Sequence, residues 1–172
     1  MALFFTIGHS TRSIAELVEL LRVENIEVVV DVRAIPRSRT NPQFNIDTLP
    51  GALREHGIDY THAGALGGRR GRGKNPSPNT FWENQSFRNF ADYAMSEAFA
   101  EGFSALRRLG QTKRCAIMCS EAVWWRCHRR IIADYLMFAG ETVVHILSCG
   151  KTEPAKPTPA AQPTAEGSIV YA

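Results

Sequence analysis

The chain has 172 residues, 44% of them hydrophobic, which is enough for one buried core in one domain. Its apolar first residues are too few to span a membrane and lack a cleavable leader, so we expect a cytoplasmic protein with no membrane partner. The net charge is only +3, but the arginines cluster in loops, which favours an anionic ligand over a neutral one.

The first sixty residues show a strand, a helix and a second strand. Leu3 to Gly8 is a short apolar strand, and Ser13 with Glu16 forms the capping box of the helix that follows. Residues 26–32 are apolar almost throughout and rich in β-branched side chains, which is typical of a strand covered on both faces. This order predicts a parallel crossover between the two strands.

The alternation of strands and helices continues to about residue 150. Further strands are predicted over residues 58–63, 115–119 and 142–147, and helices over 86–110 and 129–139, with a short or interrupted helix between 45 and 56. The pattern predicts a three-layer α/β fold: a mostly parallel sheet of about five strands with helices on both faces.

The last part of the chain has a different composition. From Lys151 onward the chain is rich in Pro and Ala and has almost no large apolar residues through Ser168. A segment of this kind buries too little surface to fold alone. We therefore predict a single α/β domain over residues 1–150 and a flexible tail over residues 151–172.

Polar and charged residues follow four of the predicted strands. Parallel strands send their carboxyl ends to one edge of the sheet, where ligands of open α/β folds bind. We therefore predict one anion-binding pocket at that edge. Its predicted substrate-binding residues are Arg12, Asp31, Arg33, Arg37, Gly67, Gly68, Cys127 and Arg129, and its predicted catalytic residues are His9, Cys119, Glu121 and His128.

Cys119 is the predicted nucleophile, because a thiol near a helix amino end and several arginines favours the thiolate form. His9, Glu121 and His128 could supply acid–base chemistry, and the alternative for Cys119 is a buried structural thiol. Cys115 and Cys119 are too far apart along one strand to form a bridge. Because the chain shows no secretory signal, all four cysteines are expected to be reduced.

A metal site is the second chemical interpretation of these residues. Cys119, Cys127, His128 and His9 are conceivable ligands. Structural zinc usually has two close pairs of ligands, and this chain offers one such pair, Cys127 and His128. We therefore expect neither a metal nor another cofactor.

Five motifs occur in a characteristic order along the chain. They are TIGHSTR at residues 6–12, DVR with Pro-Arg-Ser within 31–38, Asn-Pro-x-Phe at 41–44, Leu-Gly-Gly at 66–68, and Cys-x-Glu with Cys-His-Arg within 119–129. On these motifs the chain resembles the domain-of-unknown-function 488 family over about residues 4–148. The resemblance implies an α/β fold and supports a site at the motifs, but it brings no established reaction.

Two functions from different classes fit this pattern. The first is an enzyme acting on an anionic substrate, phosphorylated or nucleotide-like, through a Cys/His/Glu/Arg pocket. The alternative is a non-catalytic module that binds a nucleotide or nucleic acid, although the low net charge argues against long duplex contacts. The enzyme is favoured, because a thiol, imidazoles and a carboxylate together exceed what anion binding requires.

Overall fold

A computed structural model describes all 172 residues and contains a six-stranded sheet in the order β3-β2-β4-β1-β5-β6. The strands are β1 Leu3–Gly8, β2 Val28–Asp31, β3 Asp59–His62, β4 Cys115–Cys119, β5 Thr142–Ser148 and β6 Lys151–Pro154. All neighbouring strands are parallel except the antiparallel pair β5 and β6. The predicted mostly parallel α/β sheet is therefore confirmed.

Five α-helices cover the sheet. They are α1 Ile14–Val23, α2 Leu49–Arg54, α3 Gln85–Tyr93, α4 Glu97–Thr112 and α5 Arg129–Phe138. Helix α1 begins with the predicted capping box, in which Ser13 and Glu16 bond each other's backbone N–H groups. None of the helices is long and apolar enough to cross a membrane.

Two hydrophobic cores lie on opposite faces of the sheet, and the alternation of side chains along each strand separates them. On β4, Cys115, Ile117 and Cys119 belong to the core under α3, α4 and α5. Ala116 and Met118 belong to the core under α1 and α2. Because β4 is central and buried on both faces, its last residue, Cys119, is delivered to the middle of the carboxyl edge.

The loops after β1 and β4 are joined at that edge. His9 N donates a hydrogen bond to Cys119 O over 2.9 Å, and Ser10 N donates to Ser120 O over 3.0 Å. A side chain at Gly8 would collide with the carbonyl oxygen of Glu121. Glycine at this position therefore lets the loop after β4 approach the end of β1 closely.

The C-terminal segment, residues 151–172, is packed against the domain, which corrects the expectation of a flexible tail. Strand β6 extends the main sheet, and β7 Ala161–Pro163 pairs with β8 Ile169–Tyr171. Ile169 and Tyr171 are only 1% and 0% exposed. The physical reason is that these last large apolar residues supply the buried surface that the Pro- and Ala-rich part lacks.

Helix α5 provides the polar anchor for this segment. The Tyr171 hydroxyl donates to Asp134 Oδ2 over 2.7 Å, and Thr158 N donates to Asp134 Oδ1 over 2.9 Å. Ile169 N donates to the Tyr135 hydroxyl over 3.0 Å. The segment thus satisfies buried polar groups of α5 as well as adding apolar contacts.

Candidate functional site

A pocket of about 480 Å³ opens at the carboxyl edge of the sheet, a size typical of small-ligand sites. It lies between the loops after β2 and β4, the glycine-rich loop before α3 and the first turn of α3. Six of the twelve predicted site residues line it: Arg33, Gly68, Cys119, Glu121, Cys127 and His128. Five further residues line it that were not among the named site residues: Arg69, Asn84, Ser86, Phe87 and Arg126.

Three arginines and one carboxylate give the pocket wall its charge. Arg69 and Arg126 are exposed and make no side-chain hydrogen bond or ion pair within the protein. Arg33 also lines the pocket, and Glu121 is the single acidic lining residue. Two guanidinium groups are therefore free to receive an anion.

Asp31 holds Arg33 in place. The Arg33 guanidinium donates to both carboxylate oxygens of Asp31, at 2.7 Å from Nη2 and 2.9 Å from Nε, and to Phe44 O over 2.7 Å. Tyr60 also donates its hydroxyl hydrogen to Asp31 Oδ2. Asp31 lies behind Arg33 and does not line the pocket, so it orients the arginine and does not reach a ligand.

His9 also lies behind the pocket wall. Its ring stacks on Phe44 with 4.3 Å between centroids, Nδ1 donates to Ser10 O over 2.8 Å, and Nε2 faces Arg33 Nη1 at 3.3 Å. Burial lowers the pKa of His9 to about 4. The neutral ring thus packs under Arg33, and the prediction that His9 borders the pocket is wrong.

His128 lines the pocket in a fixed tautomer. Its Nε2 lies 2.9 Å from Val32 O and 3.1 Å from Leu66 O, and both are acceptors, so Nε2 carries the hydrogen. The lone pair on Nδ1 therefore faces Cys127 Sγ, 3.6 Å away. Burial lowers the pKa of His128 to about 4, and a side chain at Gly68 would collide with the ring.

The sulfur atoms of Cys119 and Cys127 are paired across the pocket floor. Cys115 and Cys149 have no sulfur partner, whereas Cys119 and Cys127 face each other. Their Cα atoms are 7.5 Å apart, beyond the range of about 4.4–6.8 Å in ordinary disulfides. The two side chains therefore form a facing pair that is open at this backbone separation, and joining it as a disulfide requires the backbone to shift.

Arg129 lies directly beneath this pair and is 1% exposed. Its Nη1 donates to Cys119 Sγ over 2.6 Å and to Glu121 O over 2.7 Å, and its Nε donates to Thr6 Oγ1 over 3.2 Å. No ion pair joins it to a carboxylate. Burial lowers the pKa of Arg129 to about 10, and Arg129 faces the sulfur without lining the pocket.

The family model for the domain of unknown function DUF488 matches residues 13–136, which is well over half of the chain. The chain belongs to the DUF488 family. The match ends within α5, so the C-terminal segment lies outside it. No match was found among curated proteins or among solved structures.

The remaining predicted site residues of this DUF488 protein lie outside the pocket. Arg12 donates to Gly8 O and to Leu147 O, and thereby joins the ends of β1 and β5. Arg37 pairs with Asp47 on the surface. A side chain at Gly67 would lie 2.9 Å from the backbone of Ala34, so this glycine allows two loops to touch.

No cluster of three or more His, Cys, Asp or Glu side chains in the DUF488 protein is arranged to hold a metal ion. Cys127 and His128 are adjacent in space, but His9, the other imidazole considered, is directed toward Arg33.

Proposed function

We propose that this protein is an enzyme that binds an anionic, phosphorylated or nucleotide-like substrate and attacks it with the sulfur of Cys119. The observation that carries the proposal is the buried Arg129 guanidinium, which has no ion-pair partner and lies 2.6 Å from Cys119 Sγ.

A buried cation without a counterion is costly, because its charge loses hydration that hydrogen bonds to carbonyl groups replace only in part. In the open form of the pair, a negative charge on Cys119 Sγ would compensate Arg129. The ionised form of the thiol is therefore favoured, and the thiolate is the nucleophilic form of cysteine.

The pocket wall supports an anionic substrate. Arg69 and Arg126 have no side-chain partner in the protein, and Arg33 is held at the rim by Asp31. The first turn of α3, through Ser86 and Phe87, adds the amino end of a helix to the same wall. Glu121 is the acid–base candidate, because its exposed side chain lines the pocket.

The reactivity of Cys119 is tested by alkylation with iodoacetamide after reduction, in a Cys149→Ser background that removes the exposed thiol. Peptide mass spectrometry gives the rate at Cys119 as a function of pH. We expect half-maximal alkylation at a pH below about 8.5, the value for an ordinary thiol. Arg129→Met should shift this midpoint upward, whereas Arg129→Lys should preserve most of the effect. A midpoint at or above about 8.5 would refute the nucleophile.

The substrate class is tested by a thermal-shift screen with nucleotides, sugar phosphates and inorganic phosphate. A ligand that binds the folded state raises the melting temperature. The increase should be lost in Arg126→Ala and kept in Arg108→Ala, an exposed arginine on α4 that does not line the pocket. Polynucleotide binding that falls steeply with salt, without any small-ligand effect, would favour the non-catalytic nucleic-acid module instead.

A further inference from the structure

We infer that Cys127 is a second working thiol that resolves the covalent adduct on Cys119, so that the protein reduces small anionic disulfides. This inference deepens the proposed function and depends on it for the nucleophilic sulfur of Cys119. It adds a reaction class, disulfide reduction, and a role for Cys127, which anion binding alone does not require.

The first support is the position of the two sulfur atoms. Both line the pocket, and they face each other at the ends of different elements, β4 for Cys119 and the loop before α5 for Cys127. A thiol in contact with the nucleophilic sulfur is placed to attack any disulfide that forms there. Thiol–disulfide exchange requires such an approach of the incoming sulfur to the sulfur under attack.

The second support is the environment of Cys127. Arg129 N, in the first turn of α5, donates to Cys127 Sγ over 3.4 Å, and this helix end favours negative charge on the sulfur. His128 Nδ1, with its lone pair fixed by the bonds that Nε2 makes, lies 3.6 Å from the same sulfur. His128 Nδ1 can therefore accept the proton of the Cys127 thiol, and Arg129 N can stabilise the negative charge that remains on the sulfur.

The first step forms a mixed disulfide. The Cys119 thiolate attacks one sulfur of the substrate disulfide, the sulfur–sulfur bond of the substrate breaks, and the first thiolate leaves and takes a proton from solvent. Arg69 and Arg126 would hold the anionic groups of the substrate during this step.

In the second step Cys127 gives its proton to His128 Nδ1 and attacks Cys119 Sγ. The mixed disulfide breaks, a Cys119–Cys127 disulfide forms, and the second thiolate leaves with the proton from His128. Because burial lowers the pKa of His128 to about 4, the ring holds this proton only in passing. The substrate gains two electrons and two protons, and an external dithiol reductant restores the pair.

The experiment uses the full chain with Cys149→Ser, reduced with dithiothreitol and then freed of reductant. The probes are coenzyme A disulfide, which carries phosphates, glutathione disulfide, which carries carboxylates, and cystamine, which is a cationic disulfide. Intact-mass measurement gives the adducts, and a thiol reagent gives the released product. Cys115 is buried and serves as an internal unreactive thiol.

The protein with both thiols should release two product thiols and retain no adduct, whereas Cys127→Ser should release one and keep a mixed disulfide on Cys119. Cys119→Ser should react about tenfold or more slowly. His128→Gln should slow the second release without changing the first, which a purely structural role of the ring would not do. Both anionic probes should react faster than cystamine. The faster of the two shows whether the pocket prefers phosphate or carboxylate groups.

Each contrary result overturns a different part of the inference. A lasting adduct on Cys119 in the protein with both thiols overturns the resolving role of Cys127 but leaves the nucleophile intact. An adduct that forms first on Cys127 overturns the assignment of the two roles. Cystamine reacting faster than both anionic probes overturns the substrate class, and no reaction at Cys119 overturns the proposed function as well.

Discussion

Helix α5 carries two buried charged residues that belong to different regions of the molecule. Arg129, in its first turn, contacts the sulfur of Cys119 at the carboxyl edge, and Asp134 contacts the C-terminal segment. Both are at most 1% exposed, and neither has an ion-pair partner. Their surroundings differ in one respect. Arg129 is in contact with a thiol that can become negatively charged, whereas the groups that contact Asp134 stay neutral.

Asp134 receives hydrogen bonds from Tyr171 and Thr158, and both donors are neutral. Burial raises the pKa of Asp134, so this carboxyl gives up its charge more readily than an exposed one. Arg129 has carbonyl and hydroxyl acceptors and, in addition, a thiol that can ionise. The comparison teaches that the C-terminal segment completes a network of neutral hydrogen bonds, whereas the carboxyl edge keeps an ionisable thiol in contact with a buried guanidinium.

The largest expected effect is loss of the C-terminal anchor. Tyr171→Ala removes a fully buried ring and leaves Asp134 without one donor, so we expect the free energy of unfolding to fall by about 3–5 kcal/mol. Tyr171→Phe, which keeps the ring, should cost about 1–3 kcal/mol. Denaturant titration measures both. Unchanged stability would mean that the segment is dispensable, and alkylation at Cys119 should be unaffected in the Phe variant.

Acid should lower the free energy of unfolding through the buried histidines. Burial lowers the pKa of His9 and His128 to about 4 and that of His145 to about 3, from 6.5. The unfolded chain therefore binds more protons below pH 6.5, and stability falls as the pH falls from there toward 4. Between pH 7 and 5 we expect a loss of about 2 kcal/mol for each histidine.

Two histidine variants test this prediction by denaturant titration at several pH values, one at a buried histidine and one, the control, at an exposed histidine. His145→Phe should flatten the pH dependence, and the exposed His56→Gln should leave it unchanged. The raised pKa of Asp134 acts in the opposite direction, because protonating this carboxyl in acid relieves its burial cost. A stability profile that is flat from pH 7 to 5 would contradict the prediction.

Gly68→Ala tests whether the position of the His128 ring matters. The added methyl group meets the imidazole ring, with His128 Cγ 2.6 Å away, so the ring has to move from its two carbonyl partners. We expect a loss of about 1–3 kcal/mol in unfolding free energy and slower release of the second thiol. Gly71→Ala is the matched control, because a side chain there meets nothing within 4 Å. Equal behaviour of the two variants would show that the ring position is unimportant.

The smallest effect is expected at Arg37. Its side chain is 56% exposed and pairs with Asp47, itself 60% exposed, outside the pocket. Arg37→Ala should change the free energy of unfolding by about 0.2–1 kcal/mol and leave thermal shifts by anions as they are. Loss of the anion response in this variant would return Arg37 to the binding site.

The sequence by itself determined the alternation of strands and helices, the capping box at Ser13 and the arrival of several polar loops at one edge. These features depend on local periodicity and on the rule that parallel strands end on the same side. Six pocket residues could be predicted for that reason, among them Cys119 and His128. Missed residues such as Asn84 and Ser86 carried a usable signal, since Asn84 caps α3.

The tertiary structure alone decided which of the polar residues meet. Strand β4 lies between β1 and β2, and this order cannot be obtained from any one strand's pattern, yet it places Cys119 over Arg129 and puts His9 behind Arg33. The docking of Tyr171 on Asp134 joins residues 37 positions apart. Such contacts depend on the shape and unsatisfied polar groups of a partner surface, which exist only once the elements have packed together.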